Sequence, residues 1–219
     1  PSSVEIDEVV ITANKASEGR IEERTQMSTV EVPITQIKKI PALLGEVDVI
    51  KALQLLPGVQ SGGEGSSGLY VRGGSPDQNL ILLDGVPVYN ANHLFGFFSV
   101  FNADAIKDVK LIKGGFPARY GGRLSSVLEI NLKEGNQNEF HGEGAIGLVA
   151  SKLTLEGPIS ENTSFIISGR RTYIDLLAKP FIQSGFEENG QVGGTGYYFY
   201  DLNAKVNHKF SDKDRLYIS

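Results

Sequence analysis

Cysteine and tryptophan are absent from the 219 residues, and methionine occurs once. Without cysteine, thiolate zinc sites, iron–sulfur clusters and disulfide scaffolds are excluded, and the compartment is left open. Basic charge is not in excess either. Lys and Arg number 21 against 26 Asp and Glu, a net charge of −5 with no basic patch, so nucleic acid is not an expected partner. No apolar run approaches the roughly 18–20 residues that a membrane helix needs. The longest, such as Phe97-Phe98-Ser99-Val100-Phe101, suit a core or a strand. A β-barrel stays open, because alternating strands leave mean hydropathy unremarkable. No leader-like segment is visible and the first residue is Pro1, so a mature or trimmed piece is expected.

What is present fits a folded protein with one large domain or two modest ones. Hydrophobic residues make up 40% and charged residues 21%, outside the range of disordered chains, and the 26 glycines suit tight turns and close backbone contacts. Residues 1–27 are polar apart from Val9-Val10-Ile11. Residues 28–139 look like a compact mixed domain, and from residue 140 the text changes to strands, glycines and aromatics.

In the mixed domain, Val49, Ile50, Leu53 and Leu56 recur at helical spacing, and Pro57-Gly58 stops that helix. Residues 69–72 and 80–83 read as strands, the second turning at Asp84-Gly85 into Val86-Pro87-Val88. Asn102 is placed to cap a short helix through Ile106, and strands are expected over 109–112 and 127–132. Gly62 to Gly68 is a glycine–serine loop. It lacks the Gly-Lys-Ser/Thr ending of a phosphate cradle and reads as a plain loop.

The last zone alternates. Between 197 and 210, Tyr198, Tyr200, Leu202, Ala204, Val206, His208 and Phe210 share one face, while Phe199, Asp201, Asn203, Lys205, Asn207 and Lys209 share the other. That exceeds the usual strand of about five or six residues, and aromatics stand at both ends of the apolar face, where interface girdles fall. Leu153 and Leu155, alternating with Lys152, Thr154 and Glu156, repeat the pattern. Short connections at 160–163 and 211–214 alternate with a long one at 178–196, as periplasmic turns and external loops do. The parity requires a tight turn near 149–151. On the strands alone, a soluble β-sandwich with one long hairpin loop accounts for the pattern equally well.

Several motifs stand in register. They are Leu55-Leu56-Pro57-Gly58-Val59, Tyr70-Val71-Arg72-Gly73-Gly74 and Ile81-Leu82-Leu83-Asp84-Gly85-Val86-Pro87-Val88. Then come Ile106-Lys107-Asp108-Val109-Lys110-Leu111-Ile112-Lys113-Gly114 and Tyr120-Gly121-Gly122. Each is weak alone; in this order and spacing they resemble the plug of TonB-dependent receptors. The resemblance implies an α+β plug domain (a small mixed sheet with short helices) followed by antiparallel strands of a truncated transmembrane β-barrel. It also makes Asp7-Glu8-Val9-Val10-Ile11-Thr12-Ala13 look like the segment that binds the energy-coupling protein TonB by adding a strand to that partner's sheet edge. An ordinary edge strand is the bland alternative.

By the same resemblance, Arg72 and Lys113 occupy the positions of two plug arginines that face barrel glutamates and lock the plug. Lysine keeps the charge there but loses the bidentate fork. Arg119 and Arg123 lie near the closing motif and could substitute, or could be simply solvated or locally paired. Gly73, Asp84, Gly85, Gly114, Tyr120 and Gly121 carry the plug motif. Tyr89, Asn90, Asn92 and His93 sit in an apical loop expected to touch ligand or else to pack against the barrel wall. No Ser/His/Asp constellation, paired carboxylates or metal-ligand spacing stands out among His93, His141 and His208. Neither an enzyme nor a cofactor is therefore expected.

The implied function is TonB-dependent import of a scarce nutrient across the outer membrane, with the plug gating the lumen and, like the N-terminal segment, facing the periplasm. The implied partners are a TonB-type protein, outer-membrane lipid and a small ligand of siderophore, cobalamin, haem, glycan or peptide class. The alternatives are a glycan or peptide receptor working with a surface lipoprotein, and a soluble plug-like periplasmic binding or signalling module. An open set of four or five strands cannot sit in lipid with unpaired edges, whereas the family's barrel has about 22. A longer protein is expected.

Overall fold

The computed structural model describes residues 28–41, 45–63, 68–93, 96–173 and 198–219. In chain order they form β1 (Thr29–Pro33), α1 (Ile34–Ile37), α2 (Val49–Leu53), β2 (Val59–Gln60), β3 (Tyr70–Val71), a 3-10 turn (Pro76–Gln78), β4 (Asn79–Leu83), β5 (Val86–Pro87), β6 (Asn92–His93), β7 (Phe98–Ser99), β8 (Ile106–Lys113) and β9 (Ser126–Leu132). Five longer or later strands follow: β10 (His141–Ile146), β11 (Ala150–Ser160), β12 (Thr163–Thr172), β13 (Tyr200–Lys209) and β14 (Arg215–Ile218).

The first sheet is mixed, in the order β1-β8-β9-β4-β5, with β4 parallel to β9 and the other pairs antiparallel. One face buries Ile106, Val109, Leu111, Leu128 and Ile130 under Ile34 and Ile37 of α1 and Val49, Ile50 and Leu53 of α2. The opposite face has a smaller core of Leu82, Ile112 and Val127, covered by Phe116 and Tyr120. Asp48 starts α2: its Oδ1 accepts from the amides of Ile50 (2.8 Å) and Lys51 (3.1 Å), and its Oδ2 accepts from the Ser99 amide (2.7 Å). One carboxylate therefore caps the helix and fixes the β6–β7 hairpin to it. At the β4–β5 turn Asp84 and Gly85 both have positive φ (47° and 83°), the backbone a tight primed hairpin turn requires.

Three expectations are corrected. Asn102 caps no helix: its Oδ1 accepts from the Asp104 amide at 3.1 Å in a local turn, and Ile106 begins β8, paired to β9. The strand over 69–72 shrinks to Tyr70–Val71, because Arg72 and Gly73 turn out of it at φ 50° and 82°. The helix at 49–56 ends at Leu53 and passes through turns to Pro57.

The second sheet is an antiparallel meander, β10-β11-β12-β13-β14. The required tight turn exists at residues 147–149, where the Gly147 amide donates to the Ala150 carbonyl at 2.8 Å. It lies at the same end as the connection between β12 and β13, while residues 161–162 and 210–214 close the other end. Polarity is inverted relative to a soluble sheet. Leu153, Leu155, Ile167, Leu202 and Val206 point outward and exposed, Leu202 at 72%, while Thr154, Ser164, Ser168, Lys205 and Asn207 are buried against the mixed domain. A sandwich would bury the leucines, so this pattern selects the lipid-facing reading. No helix among the described residues is long and apolar enough to cross a membrane, which does not bear on strands.

Candidate functional site

Three stations of buried charge join the mixed domain to the strand wall. At the first, Asp104, on the turn before β8, is 3% exposed and takes Lys38 Nζ at 2.6 Å and Lys152 Nζ of β11 at 2.8 Å. Lys38 also reaches Glu143 of β10 at 3.3 Å. Burial alone would raise the Asp104 pKa, but hydrogen bonds and attraction from Lys152 and Lys38 outweigh it and hold the carboxyl below its ordinary 3.8. Burial lowers the Lys38 pKa, yet Asp104 and Glu143 raise it on balance. Beside this station, Asn102 Nδ2 donates to Ser168 Oγ (2.7 Å), which in turn bonds Thr154 Oγ1 (2.6 Å).

The second station is centred on Arg170 of β12, whose Nε and Nη2 both donate to Asp201 Oδ2 of β13, at 3.0 and 2.6 Å. Nη2 also donates to the Ser99 carbonyl at 2.6 Å, and Nη1 lies 3.7 Å from Glu46. His93 Nε2 approaches the other Asp201 oxygen at 2.6 Å and its ring stacks on Phe199, centroids 4.0 Å apart. Burial raises the Glu46 pKa, opposed by Lys152 and Arg170.

The third station uses Asp84. Its Oδ1 accepts from the Leu132 amide at 3.0 Å, and Lys205 Nζ of β13 lies 3.0 Å from Oδ2. Close by, Ser164 Oγ donates to the Glu134 carbonyl at 2.8 Å, and Gly135 (φ 83°) packs on the Phe165 backbone so closely that a Cβ would collide with it.

Apart from Asp84 and Gly85, at the β4–β5 turn, the residues singled out in the sequence fall in four places. Asp7 through Ala13 lie outside the described residues, as does most of the 62–68 loop. Arg72 and Lys113 are brought together beside the Pro57-Gly58 turn. The Arg72 amide donates to the Gly58 carbonyl (2.9 Å) and Lys113 Nζ to that of Pro57 (2.9 Å). Gly73 and Gly114 adopt positive φ at the same spot. Arg119 and Arg123 bond locally, to Tyr120 Oη (2.9 Å) and the Gly122 carbonyl (2.9 Å). Tyr120, next to Gly121, donates to Glu129, and burial together with that carboxylate raises its pKa. In the apical loop Tyr89 is exposed, Asn90 Oδ1 accepts from the Asn92 amide (3.2 Å), and His93 packs on the wall.

Sequence reading missed Lys38, Glu46, Asp104, Lys152, Arg170, Asp201 and Lys205 as a constellation. The available signal was positional: Lys152, Asp201 and Lys205 occupy the polar side of alternating strands, the side that faces inward when the apolar side meets lipid.

Comparison with known proteins decides what this seam belongs to. Residues 22–126 match the family model described as the TonB-dependent Receptor Plug Domain. Over that stretch the chain carries the plug domain of the TonB-dependent receptors. It is 34% identical over 216 residues to the vitamin B12 transporter BtuB of Vibrio vulnificus strain CMCP6, covering 94% of this chain and 33% of that protein. To the ferric enterobactin receptor of Pseudomonas aeruginosa it is 29% identical over 181 residues, covering 68% of this chain and 24% of the receptor. A crystal structure of the P. aeruginosa ferric enterobactin receptor PfeA, a mutant, superposes with TM-score 0.58 at 23% identity over 87% of this chain and 32% of that chain. The chain thus spans about a third or less of these relatives. The mixed domain is the plug, β10–β14 are barrel strands, and the protein is of the outer membrane with its plug facing the periplasm.

Proposed function

We propose that this chain is the plug and first strands of an importer that takes up a scarce nutrient across the outer membrane, energised by a TonB-type protein acting on the N-terminal segment. The observation that carries the reading is the seam. The plug meets the wall mainly through polar and charged side chains, while most apolar side chains of the same strands face outward. A stopper that must leave a lumen needs a contact face that water can take over; an apolar seam would expose its core on opening.

Asp7 through Ala13 are the segment we assign to the TonB-type partner, and Arg72 with Lys113 to the plug lock. The described contacts of Arg72 and Lys113 lie within the plug, away from β10–β14, consistent with partners on barrel strands further along a longer chain. Tyr89, Asn90 and Asn92, in the apical loop, are the residues we assign to cargo. Relatives named for vitamin B12 and ferric enterobactin favour a cobalamin or ferric siderophore.

The test is uptake of labelled cobalamin and of ferric catecholate siderophore by cells with and without the gene, before and after collapse of the proton-motive force. Uptake that needs both the gene and the force supports the reading. A gene product near 23.7 kDa in the soluble periplasm, with no effect on uptake, overturns it.

A further inference from the structure

Three non-glycine residues among those described have positive φ: Ser28 (66°), Arg72 (50°) and Asp84 (47°). Asp84 belongs to a hairpin turn, which explains it. Ser28 and Arg72 are far apart in sequence but bonded to each other, Arg72 Nη2 donating to Ser28 Oγ at 2.7 Å. The Ser28 carbonyl accepts from the Lys113 amide at 3.0 Å, and Gly58 and Gly114, both at positive φ, pack against the Arg72 side chain. Left-handed backbone at non-glycine residues persists only where its surroundings over-determine it, and such positions concentrate at clamps and switches.

Ser28 stands where residues 1–27 join the plug, immediately before the edge strand β1. The first rung of the β1–β8 ladder is Thr29 opposite Ile112. By chain connectivity, tension entering from the N-terminal segment reaches Ser28 before any rung. We propose that Arg72 and the Lys113 amide form a latch on Ser28, holding closed the point where the N-terminal segment enters the plug until tension opens it. The proposal rests on the reading that a TonB-type partner pulls on that segment. It gives Arg72 a task on the plug itself, separate from any barrel glutamate. Release frees Ser28 to relax to ordinary backbone angles and exposes the end of β1, so that the ladder unzips from Thr29 toward Pro33.

The experiment is hydrogen exchange on the full-length protein in outer-membrane vesicles, comparing wild type with Ser28→Ala, Ser28→Gly and Arg72→Ala. Ser28→Gly removes the hydroxyl acceptor while favouring positive φ, so it separates the bond from the backbone strain. A latch predicts exchange about three- to tenfold faster over residues 28–32 and at the Lys113 amide in all three variants, the scale of one lost hydrogen bond at an exposed site. Exchange over 126–132 should not change, showing that the fold is intact. Unchanged or slower exchange in Ser28→Gly would overturn the latch and leave only a strained turn. Failure of a 4–15 peptide to bind the TonB C-terminal domain would instead remove the pulling partner, with the exchange result still deciding the latch.

Discussion

Replacing Asp104 by alanine tests the seam most directly. Its carboxylate is 3% exposed and lies 2.8 Å from Lys152 Nζ, itself 12% exposed. At an effective dielectric of about 20 that separation is worth roughly 6 kcal/mol of attraction before desolvation is subtracted. Removing one partner of a buried pair costs about 3–5 kcal/mol, because the other charge is stranded. Here the low end applies. Lys38 keeps Glu143 at 3.3 Å and is 30% exposed, and Lys152 also attracts the Glu46 carboxyl, partly offsetting the rise in pKa that burial gives it. We therefore expect Asp104→Ala to favour detachment of the plug from the wall by about 3 kcal/mol, a factor of about a hundred. A reporter is available: Ser99 is fully buried, its hydroxyl has no hydrogen-bond partner, and the 219 residues hold no cysteine to compete with Ser99→Cys. Urea-dependent thiol labelling in the full-length protein then reads detachment, and a double-mutant cycle with Lys152→Met isolates the pair. A coupling below about 0.5 kcal/mol, the ordinary limit of additivity between independent sites, would refute the reasoning. The pH dependence has a fixed sign. Because the folded Asp104 pKa is depressed, its contribution is present above the ordinary value of 3.8 and is lost as pH falls through the lower folded value. Wild type and variant should converge in acid.

Three further outcomes follow from single residues. Gly135→Ala adds a methyl against the Phe165 backbone at φ 83° and should destabilise the plug–wall junction by about 2–4 kcal/mol, seen as a lower melting temperature of the heat-modifiable band. Leu202→Arg puts charge on the outward face and should cost about 2–4 kcal/mol at the bilayer midplane, read as lost outer-membrane assembly; wild-type yield would count against the barrel reading. In a 4–15 peptide, Val10→Pro removes a backbone donor from the strand-forming run and should weaken binding to the TonB C-terminal domain several-fold in a titration.

Much of the fold was legible because local signals agreed with tertiary ones. The strand at 80–83 and its Asp84-Gly85 turn, the strand at 127–132 and the alternation past 197 all carry their own periodicity or turn chemistry. Boundaries drifted where a partner decided them. β8 starts at Ile106 rather than Val109 because β9 offers rungs up to Leu132, and Asn102 turns the chain instead of capping it because that pairing competes with a helix. The seam stations were not legible as pairs. Asp84 with Lys205 and Asp104 with Lys152 meet only through the docking of two sheets, and no local spacing encodes that. Arg170 was hidden further, since Arg170-Arg171-Thr172 reads as a polar run when its partner strand is unknown.

The chemistry of the seam also limits how tightly the plug can be held. Buried ion pairs return little net stability against well-packed apolar contacts, since each ion gives up its hydration, but breaking one side of a pair is costly. A seam of such pairs is therefore specific in register without being deep in free energy. Its charges can be rehydrated together when the plug moves, as those of Arg170, Asp201 and Glu46 must be if the apical hairpin is to leave β12 and β13. An apolar plug face would gain by area and resist removal in proportion. The outward face of the same strands has the opposite requirement, permanent contact with lipid, and it carries leucine, valine and isoleucine. On the proposed gating, the two sides of one alternating strand thus divide the labour between a contact that persists and one that opens.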